Sequence, residues 1–282
     1  MTEYVPKVWQ ELTNHYQEIQ PDLRLRTYIQ SYWFSYTRAN QEPARIIPDL
    51  CSDLIVQLSP ALEILSIELC GPSTAFFYSY AEKELLHLGI RFHLGGMYPF
   101  INHSFKEMKN QLRPLAEVEK ALAKELAVQL SGKTTVAELI LGLNQHFLKL
   151  LNRVDRQISA PIPLFIHDYS AYRSYDMLLA NTLISERSLQ RLFKEEIGLT
   201  PYEVFDVLRF QKVYQEILMN PQIKQLDLIE KYAFFDQSHY SKKMKKMTGL
   251  TPQKINKHVG IIQDKSMTLD YTKEKTREGE VK

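Results

Sequence analysis

The sequence predicts an α+β protein in which a small β-sheet or barrel domain with flanking helices precedes an all-α domain. Three observations predict it. Short runs of aromatic and β-branched residues fill the first third of the chain. Two runs with apolar residues at helical spacing follow. Further on, Gly-Leu-Thr-Pro ends each of two similar segments, at Gly198–Pro201 and Gly249–Pro252. A chain of 282 residues is long enough for two domains that each bury a core.

Five runs in the N-terminal part have the composition of strands. They are Tyr28–Tyr36, Leu54–Leu58, Leu62–Leu69, Ala75–Tyr80 and Leu86–Leu94. Pro, Gly, Asn or Asp separate several of them, which is typical of short strands joined by turns. We therefore expect a small sheet or barrel in this region.

Two helices are predicted next, at Leu115–Leu130 and Val136–Leu151, separated by Ser131-Gly132-Lys133. One face of the second helix is apolar throughout. Its members are Val136, Leu139, Ile140, Leu143, Phe147, Leu150 and Leu151. The stripe can either pack against its own domain or form a dimer seam, and the sequence leaves both alternatives open.

The first repeated unit has a short apolar segment, Met177–Ile184, followed by a helix that Ser185 caps and that ends at Gly198. The apolar face of this helix consists of Leu189, Leu192 and Phe193. Its polar stripe, at i, i+3, i+4 and i+7, consists of Arg187, Gln190, Arg191 and Lys194.

The second unit repeats this pattern 51 residues later. Its short segment is Leu226–Phe235, and Asp236 caps the following helix. The apolar face consists of Tyr240, Met244 and Met247, and the polar stripe of Ser238, Ser241, Lys242 and Lys245. A short helix, a turn and a second helix with a polar outer face form a helix-turn-helix, whose second helix lies in the major groove of DNA.

The chemistry of both stripes suits that groove, because Arg and Lys donate to guanine, Gln pairs with adenine, and Ser contacts several base edges. A lysine cluster at Lys242, Lys243, Lys245, Lys246, Lys254 and Lys257 provides a surface for phosphates. Tyr202–Met219 reads as one helix, ended by Asn220-Pro221. It would span roughly 25 Å, which suits two helices that read neighbouring DNA turns, roughly 34 Å apart.

These residues resemble the AraC/XylS-type transcription regulators. Phe234–Pro252 is similar to the C-terminal signature of that family, and Ser185–Pro201 with Arg209 is similar to its first unit and connecting helix. The resemblance covers roughly residues 170–257. It implies that bases are read by Arg187, Gln190, Arg191, Gln237, Ser238, Ser241 and Lys242. We assign phosphate contacts to Lys194, Arg209, Lys245 and Lys246.

The chain departs from the family pattern at several positions. Ala233 stands where the family has a turn glycine, and Ile229 where it has a helix alanine. The first turn, Thr182-Leu183-Ile184, contains no glycine. Lys242 replaces the more usual arginine, which gives up bidentate contacts. We expect these departures to bear on how each helix docks.

The region at about 22–115 resembles an N-terminal domain found in a subset of AraC-type regulators. Ile47-Pro48-Asp49-x-x-x-Asp53-Leu54, Gly71-Pro72-x-Thr74, and Gly89-Ile90-Arg91-Phe92 with Gly95-Gly96 carry this resemblance. It implies a sensing or dimerising role and names no ligand.

We therefore expect four segments in the chain. They are a β-rich sensor domain at 1–114, a helical pair at 115–158 that serves as a possible dimerisation element and linker, a double helix-turn-helix domain at 159–260, and a disordered tail at 261–282.

Little in the sequence indicates catalysis. His87, His93 and His103 lie near Glu82 and Glu84 without the close spacing of a metal site, and we expect neither metal nor cofactor. Cys51 and Cys70 are either inert buried thiols or a redox pair, and two cysteines without a signal peptide favour a reduced cytoplasm. No apolar run reaches the roughly 18 residues that span a membrane.

The sequence thus predicts a DNA-binding transcription regulator that is not an enzyme. Its expected partner is double-stranded promoter DNA, with RNA polymerase, a small-molecule effector and a second copy of the chain as further candidates. Two alternatives stay open. The repeat domain could bind a related regulator as an antagonist, or the N-terminal domain could be a metal enzyme with a DNA-binding tail.

Overall fold

The computed structural model describes residues 15–38, 43–80, 83–172 and 174–255. An antiparallel sheet comes first and helices follow, which confirms the predicted α+β class. The chain divides into two compact units, 1–211 and 212–282. The division falls inside a helix, because the first helix-turn-helix packs within the same unit as the sheet. The predicted domain limits remain a proposal, and the predicted disordered tail lies outside the described residues.

The strands are short and pair with neighbours in antiparallel fashion. They are β1 (His15–Ile19), β2 (Ile29–Thr37), β3 (Ala44–Ile46), β4 (Ser52–Leu58), β5 (Ile64–Cys70), β6 (Phe77–Ser79), β7 (Leu85–Phe92) and β8 (Leu112–Pro114). One sheet has the order β1-β2-β7-β4-β5-β8, and β3 pairs with β6 in a separate ribbon. The larger sheet is open, with β1 and β8 at its edges. All five predicted strand runs are confirmed, whereas β1, β3 and β8 were not predicted.

The helices are α1 (Leu115–Val118), α2 (Lys120–Leu130), α3 (Val136–Leu151), α4 (Pro161–Asp168), α5 (Tyr175–Ala180), α6 (Glu186–Glu196), α7 (Pro201–Met219), α8 (Gln225–Lys231) and α9 (Gln237–Thr248). The predicted bounds of α3 are those of the structure. The predicted helix over 115–130 is instead two helices, because Glu119 has φ −142° and ψ 85°, outside the helical region.

The apolar stripe of α3 packs against the core of its own unit. Leu139, Leu143 and Phe147 are fully buried. The ring of Phe147 lies 5.6 Å from that of Phe92 on β7 and 5.3 Å from that of Phe100, centroid to centroid. Of the two alternatives for this stripe, the structure therefore shows the one in which it completes its own core. Its buried residues are not available for a dimer seam.

Helix α7 begins immediately after the first Gly-Leu-Thr-Pro. Gly198 has φ 83° and ends α6, since glycine adopts the left-handed region without strain. Two residues later Thr200 caps α7. The hydroxyl of Thr200 accepts from the Glu203 nitrogen at 3.1 Å, and the Glu203 carboxylate accepts from the Thr200 nitrogen at 2.8 Å. This reciprocal capping box makes the motif both the end of one helix and the start of the next.

Candidate nucleic-acid interface

The first reading helix, α6, is positioned by its cap and by its apolar face. The Ser185 hydroxyl accepts a hydrogen bond from the nitrogen of Ser188 at 3.2 Å, as its predicted capping role requires. Leu189 and Phe193 are fully buried, and the Phe193 ring packs edge-on to that of Phe165 on α4 at 5.0 Å. This burial fixes the rotation of α6 about its axis, so the polar stripe faces outward.

The predicted stripe of α6 is available to a ligand. Arg187, Gln190 and Arg191 are exposed, and Lys194 is half-buried near the end of the helix. The amide of Gln190 donates to Glu186 at 3.0 Å, one turn earlier. That bond holds the amide on the outer face of the helix. To contact a base edge, the Gln190 amide would have to give up its bond to Glu186.

The second reading helix, α9, belongs to the other compact unit and is built in the same way. The Asp236 carboxylate accepts from the His239 nitrogen at 2.6 Å. Tyr240, Met244 and Met247 are buried, as predicted. Of the predicted stripe, Ser238, Lys242 and Lys245 are exposed and Ser241 is partly exposed; the other two assigned DNA contacts on this helix, Gln237 and Lys246, are also exposed.

The two turns that precede the reading helices differ in backbone conformation. Ala233, in the turn before α9, has φ 51°, which is the left-handed region that its family glycine would occupy without strain. Thr182, Leu183 and Ile184 have no positive φ, so the first turn requires no glycine. The Thr182 hydroxyl instead donates to the carbonyls of Leu179 and Ile184. The lack of a glycine therefore strains the backbone of the second turn at Ala233, whereas it causes no strain in the first turn.

The prediction that Arg209 contacts phosphate is wrong. Arg209 is 7% exposed, and its guanidinium donates to the carboxylate of Asp206 at 2.7 Å, three residues earlier on α7. It also lies over the ring of Phe205, 5.7 Å from the centroid. A buried charge held by a carboxylate is a structural ion pair and does not reach DNA. The i, i+3 spacing of Asp206 and Arg209 could have indicated this.

The C-terminal end of α6 and the start of α7 are held by the N-terminal part of the same unit. Lys106 pairs with Glu195 at 2.8 Å, and Lys109 pairs with Glu203 at 2.6 Å. A Cβ on Gly198 would lie 2.4 Å from the carbonyl oxygen of Phe105. We call the segment 104–109, which contains the 3₁₀ turn Phe105–Glu107, the clasp. Sequence patterns gave no sign of it, because its contacts join residues about 90 positions apart.

A second attachment of α6 is buried. Glu196 is 4% exposed, and its carboxylate accepts from the backbone nitrogen of Ser159 at 2.7 Å and also from the Ser159 hydroxyl. Ser159 lies just before α4, so this contact joins the segment between α3 and α4 to the end of the reading helix.

Two of the three acidic residues at this corner, Glu195 and Glu203, have a pKa below the usual range. For Glu195 the bond from Lys106 is the main cause; for Glu203 the bonds from Lys109 and Thr200 outweigh the effect of burial.

The motifs of the N-terminal domain meet in a buried ion-pair cluster. Arg91 on β7 lies 3.2 Å from Asp53 on β4 and 3.6 Å from Asp49, and Trp33 donates to Asp53 at 2.8 Å. Burial raises the pKa of Asp49, and Arg91 opposes that effect. A Cβ on Gly89 would lie 1.8 Å from the Trp33 ring, which explains that glycine. These motif residues therefore support the sheet.

The remaining predictions for this domain concern metals and thiols. Among residues that the structure describes, no group of three His, Cys, Asp or Glu side chains is placed to hold a metal ion. Cys51 and Cys70 are free thiols. Burial raises the pKa of Cys70 to about 12 and that of Cys51 well above its usual value, which favours inert thiols over a redox pair. Over the same residues, no helix is long and apolar enough to cross a membrane.

A surface cleft of about 400 Å³ lies next to the clasp. One wall is formed by Pro99–Asn102, directly before the clasp, and another by residues of α2. Arg153 and Arg156 line a third side. Arg156 donates to the Ile101 carbonyl at 2.7 Å and covers the Tyr98 ring at 3.6 Å. The cleft thus shares a continuous stretch of backbone with the segment that holds α6.

Comparison with known proteins matches both ends of the chain. Residues 17–114 match the model of a domain of unknown function, DUF6597, and residues 178–258 match that of a helix-turn-helix domain. No curated protein sequence matches the chain. Among solved structures, ToxT from Vibrio cholerae O395 is 12% identical with a TM-score of 0.39, covering 80% of this chain and 97% of that one. The same protein bound to (E)-4-(8-methylnaphthalen-1-yl)but-3-enoic acid is 13% identical with a TM-score of 0.40, covering 88% and 98%.

Proposed function

We propose that this chain, a DNA-binding transcription regulator with an AraC-type helix-turn-helix domain, reads two neighbouring major-groove segments with α6 and α9. The observation that carries the proposal is the repeated exposure of the two polar stripes. Each stripe lies on a helix whose other face is buried and whose first turn is capped. Two such helices in one chain suit two adjacent segments of one operator without a second protomer.

The two helices would contribute differently to binding. The stripe of α6 contains two arginines and a glutamine, the side chains that make bidentate contacts with guanine and adenine. The stripe of α9 contains Ser and Lys, and Lys242, Lys245 and Lys246 are all exposed. Lysine neutralises phosphate well but lacks the planar fork of arginine. We therefore assign most of the specificity to α6 and most of the salt-dependent affinity to α9.

Control by the N-terminal domain would act through the clasp. Only His103 separates the cleft wall at Pro99–Asn102 from the clasp at 104–109, and the clasp holds both Glu195 on α6 and Glu203 on α7. A small molecule in the cleft would contact the backbone that leads into the clasp, and any shift of that backbone would act on the end of α6. The continuity of the cleft wall with the clasp supports an effector-controlled regulator.

Selection from random duplex DNA, followed by footprinting of the full chain, tests the proposal. We expect a selected sequence and two protected major-groove segments about 10 base pairs apart on one face. Protection of a single segment would contradict reading by two helices. Failure to select any sequence, together with capture of a related regulator, would favour the antagonist alternative. Screening small molecules for a change in this binding then tests control through the cleft.

A further inference from the structure

The two most exposed large apolar side chains in the described ranges lie in the two turns that precede the reading helices. Leu183 is 94% exposed and Phe235 is 91% exposed, and the next highest values are 77% for Met219 and 76% for Leu23. Leu183 lies two residues before the cap of α6, and Phe235 lies one residue before the cap of α9. The same unusual exposure therefore occurs at the entrance of both reading helices.

In the second turn, the burial of Phe234 shows that the apolar core reaches this turn, so the exposure of Phe235 does not result from the absence of a core nearby. Phe234 is 7% exposed and packs edge-on against Tyr240 at 5.2 Å. Phe235 is exposed beside it, and the exposed Gln237 and Ser238 of the predicted base-reading set follow two and three residues later. The fold thus buries one phenylalanine and leaves the other in solvent, one residue before the cap of α9.

We infer that Leu183 and Phe235 each contact the 5-methyl group of a thymine at the edge of the DNA segment read by α6 or α9. This rests on the proposed function. A recognition helix places its N-terminal residues against base edges. The thymine methyl is the apolar group that base edges present in the major groove, and apolar side chains such as Phe pack on it. DNA is favoured over a protein partner because the exposed polar and basic stripe of each helix continues directly from these turns.

Deoxyuridine provides a direct test, since it pairs like thymidine and lacks only the methyl group. Each thymine of the selected operator is replaced in turn, and the affinity is measured for the wild-type chain, Phe235→Ala and Leu183→Ala. Leu23→Ala is the matched control, because Leu23 is also highly exposed but lies far along the chain from either turn. Both residues are exposed, so the variants should fold, and circular dichroism verifies this.

We expect one thymine near the N-terminal end of each reading helix whose replacement weakens wild-type binding about fourfold, the value for one buried methyl-sized group. In Phe235→Ala the replacement at the α9 segment should have no further effect, and in Leu183→Ala the same should hold at the α6 segment. Leu23→Ala should respond like the wild type. This loss of sensitivity at one base pair is what identifies the contact.

Two results would overturn the inference while leaving the proposed function intact. In one, a specific operator is found but no deoxyuridine replacement weakens binding. In the other, Phe235→Ala or Leu183→Ala weakens binding equally on both DNAs, so the side chain contacts sugar or a protein instead. Failure to select any operator would overturn the proposed function itself and the inference with it.

Discussion

The carboxylate of Glu196 accepts two hydrogen bonds from Ser159, one from its backbone nitrogen and one from its hydroxyl. Glu196 is the last residue of the reading helix α6, and Ser159 precedes α4. The position of α6 therefore depends on a buried polar contact as well as on its apolar face.

Glu196→Ala should lower the free energy of unfolding by about 2 kcal/mol, because it removes two hydrogen bonds and leaves the partly buried nitrogen of Ser159 without its acceptor. Thermal or urea unfolding measures this. Glu195→Ala is the control, since its exposed pair with Lys106 is expected to contribute less than about 1 kcal/mol. Equal losses in the two variants would show that the buried contact has no special weight.

Ala233→Gly should raise the stability of the second unit by roughly 0.5–1 kcal/mol. It relieves about 1–2 kcal/mol of left-handed strain and loses part of that gain to the flexibility of glycine in the unfolded chain. Urea unfolding is the measurement. Ala127→Gly, within α2, is the opposite case and should destabilise. If Ala233→Gly destabilises as well, the turn carries no relievable strain.

Arg191→Ala should weaken binding to the selected operator by about 1–3 kcal/mol more than binding to random DNA. The reason is that an exposed arginine on the α6 stripe can donate two bonds to one guanine. Competition binding on both DNAs measures the difference. An equal loss on the two DNAs would make Arg191 a phosphate contact.

Lys245→Ala should weaken binding to all DNA alike and reduce the slope of log affinity against log salt by about one unit. Arg209→Gln is the matched comparison. It should leave the slope unchanged but lower stability by about 3 kcal/mol, because the buried carboxylate of Asp206 would lose the guanidinium with which it pairs. If Arg209→Gln reduces the salt slope and Lys245→Ala does not, then Arg209 and not Lys245 contacts phosphate.

Burial lowers the pKa of His146, whose Nε2 atom has no hydrogen-bond partner within the described structure. The unfolded chain therefore binds a proton more readily than the folded chain, and stability falls as pH drops below about 6.5. His146→Leu should flatten this dependence between about pH 7.5 and 5.5 in thermal unfolding. A slope that persists unchanged would assign the acid sensitivity to other groups, of which His87, also with a lowered pKa, is the first to test.

The elements governed by local pattern could be predicted from the sequence. The helix α3, the caps Ser185 and Asp236, and the outward stripes follow from spacing and from capping chemistry. Strands of three residues such as β3 and β8 could not be predicted, because pairing partners rather than composition define them. Glu196 and the clasp were missed for the same reason, since their contacts are distant in sequence. The phosphate role assigned to Arg209 is wrong because the charge of Arg209 is buried and paired with Asp206, one turn earlier.

The clasp also has a consequence for how a signal would be sensed. If its contacts with Glu195 and Glu203 differ between the free and the DNA-bound chain, the coupling is reciprocal. If an effector changes the affinity of the chain for DNA by some factor, binding to DNA changes the affinity of the chain for the effector by the same factor. The effector concentration that half-saturates the chain then depends on whether the operator is bound, so it differs from one promoter to another.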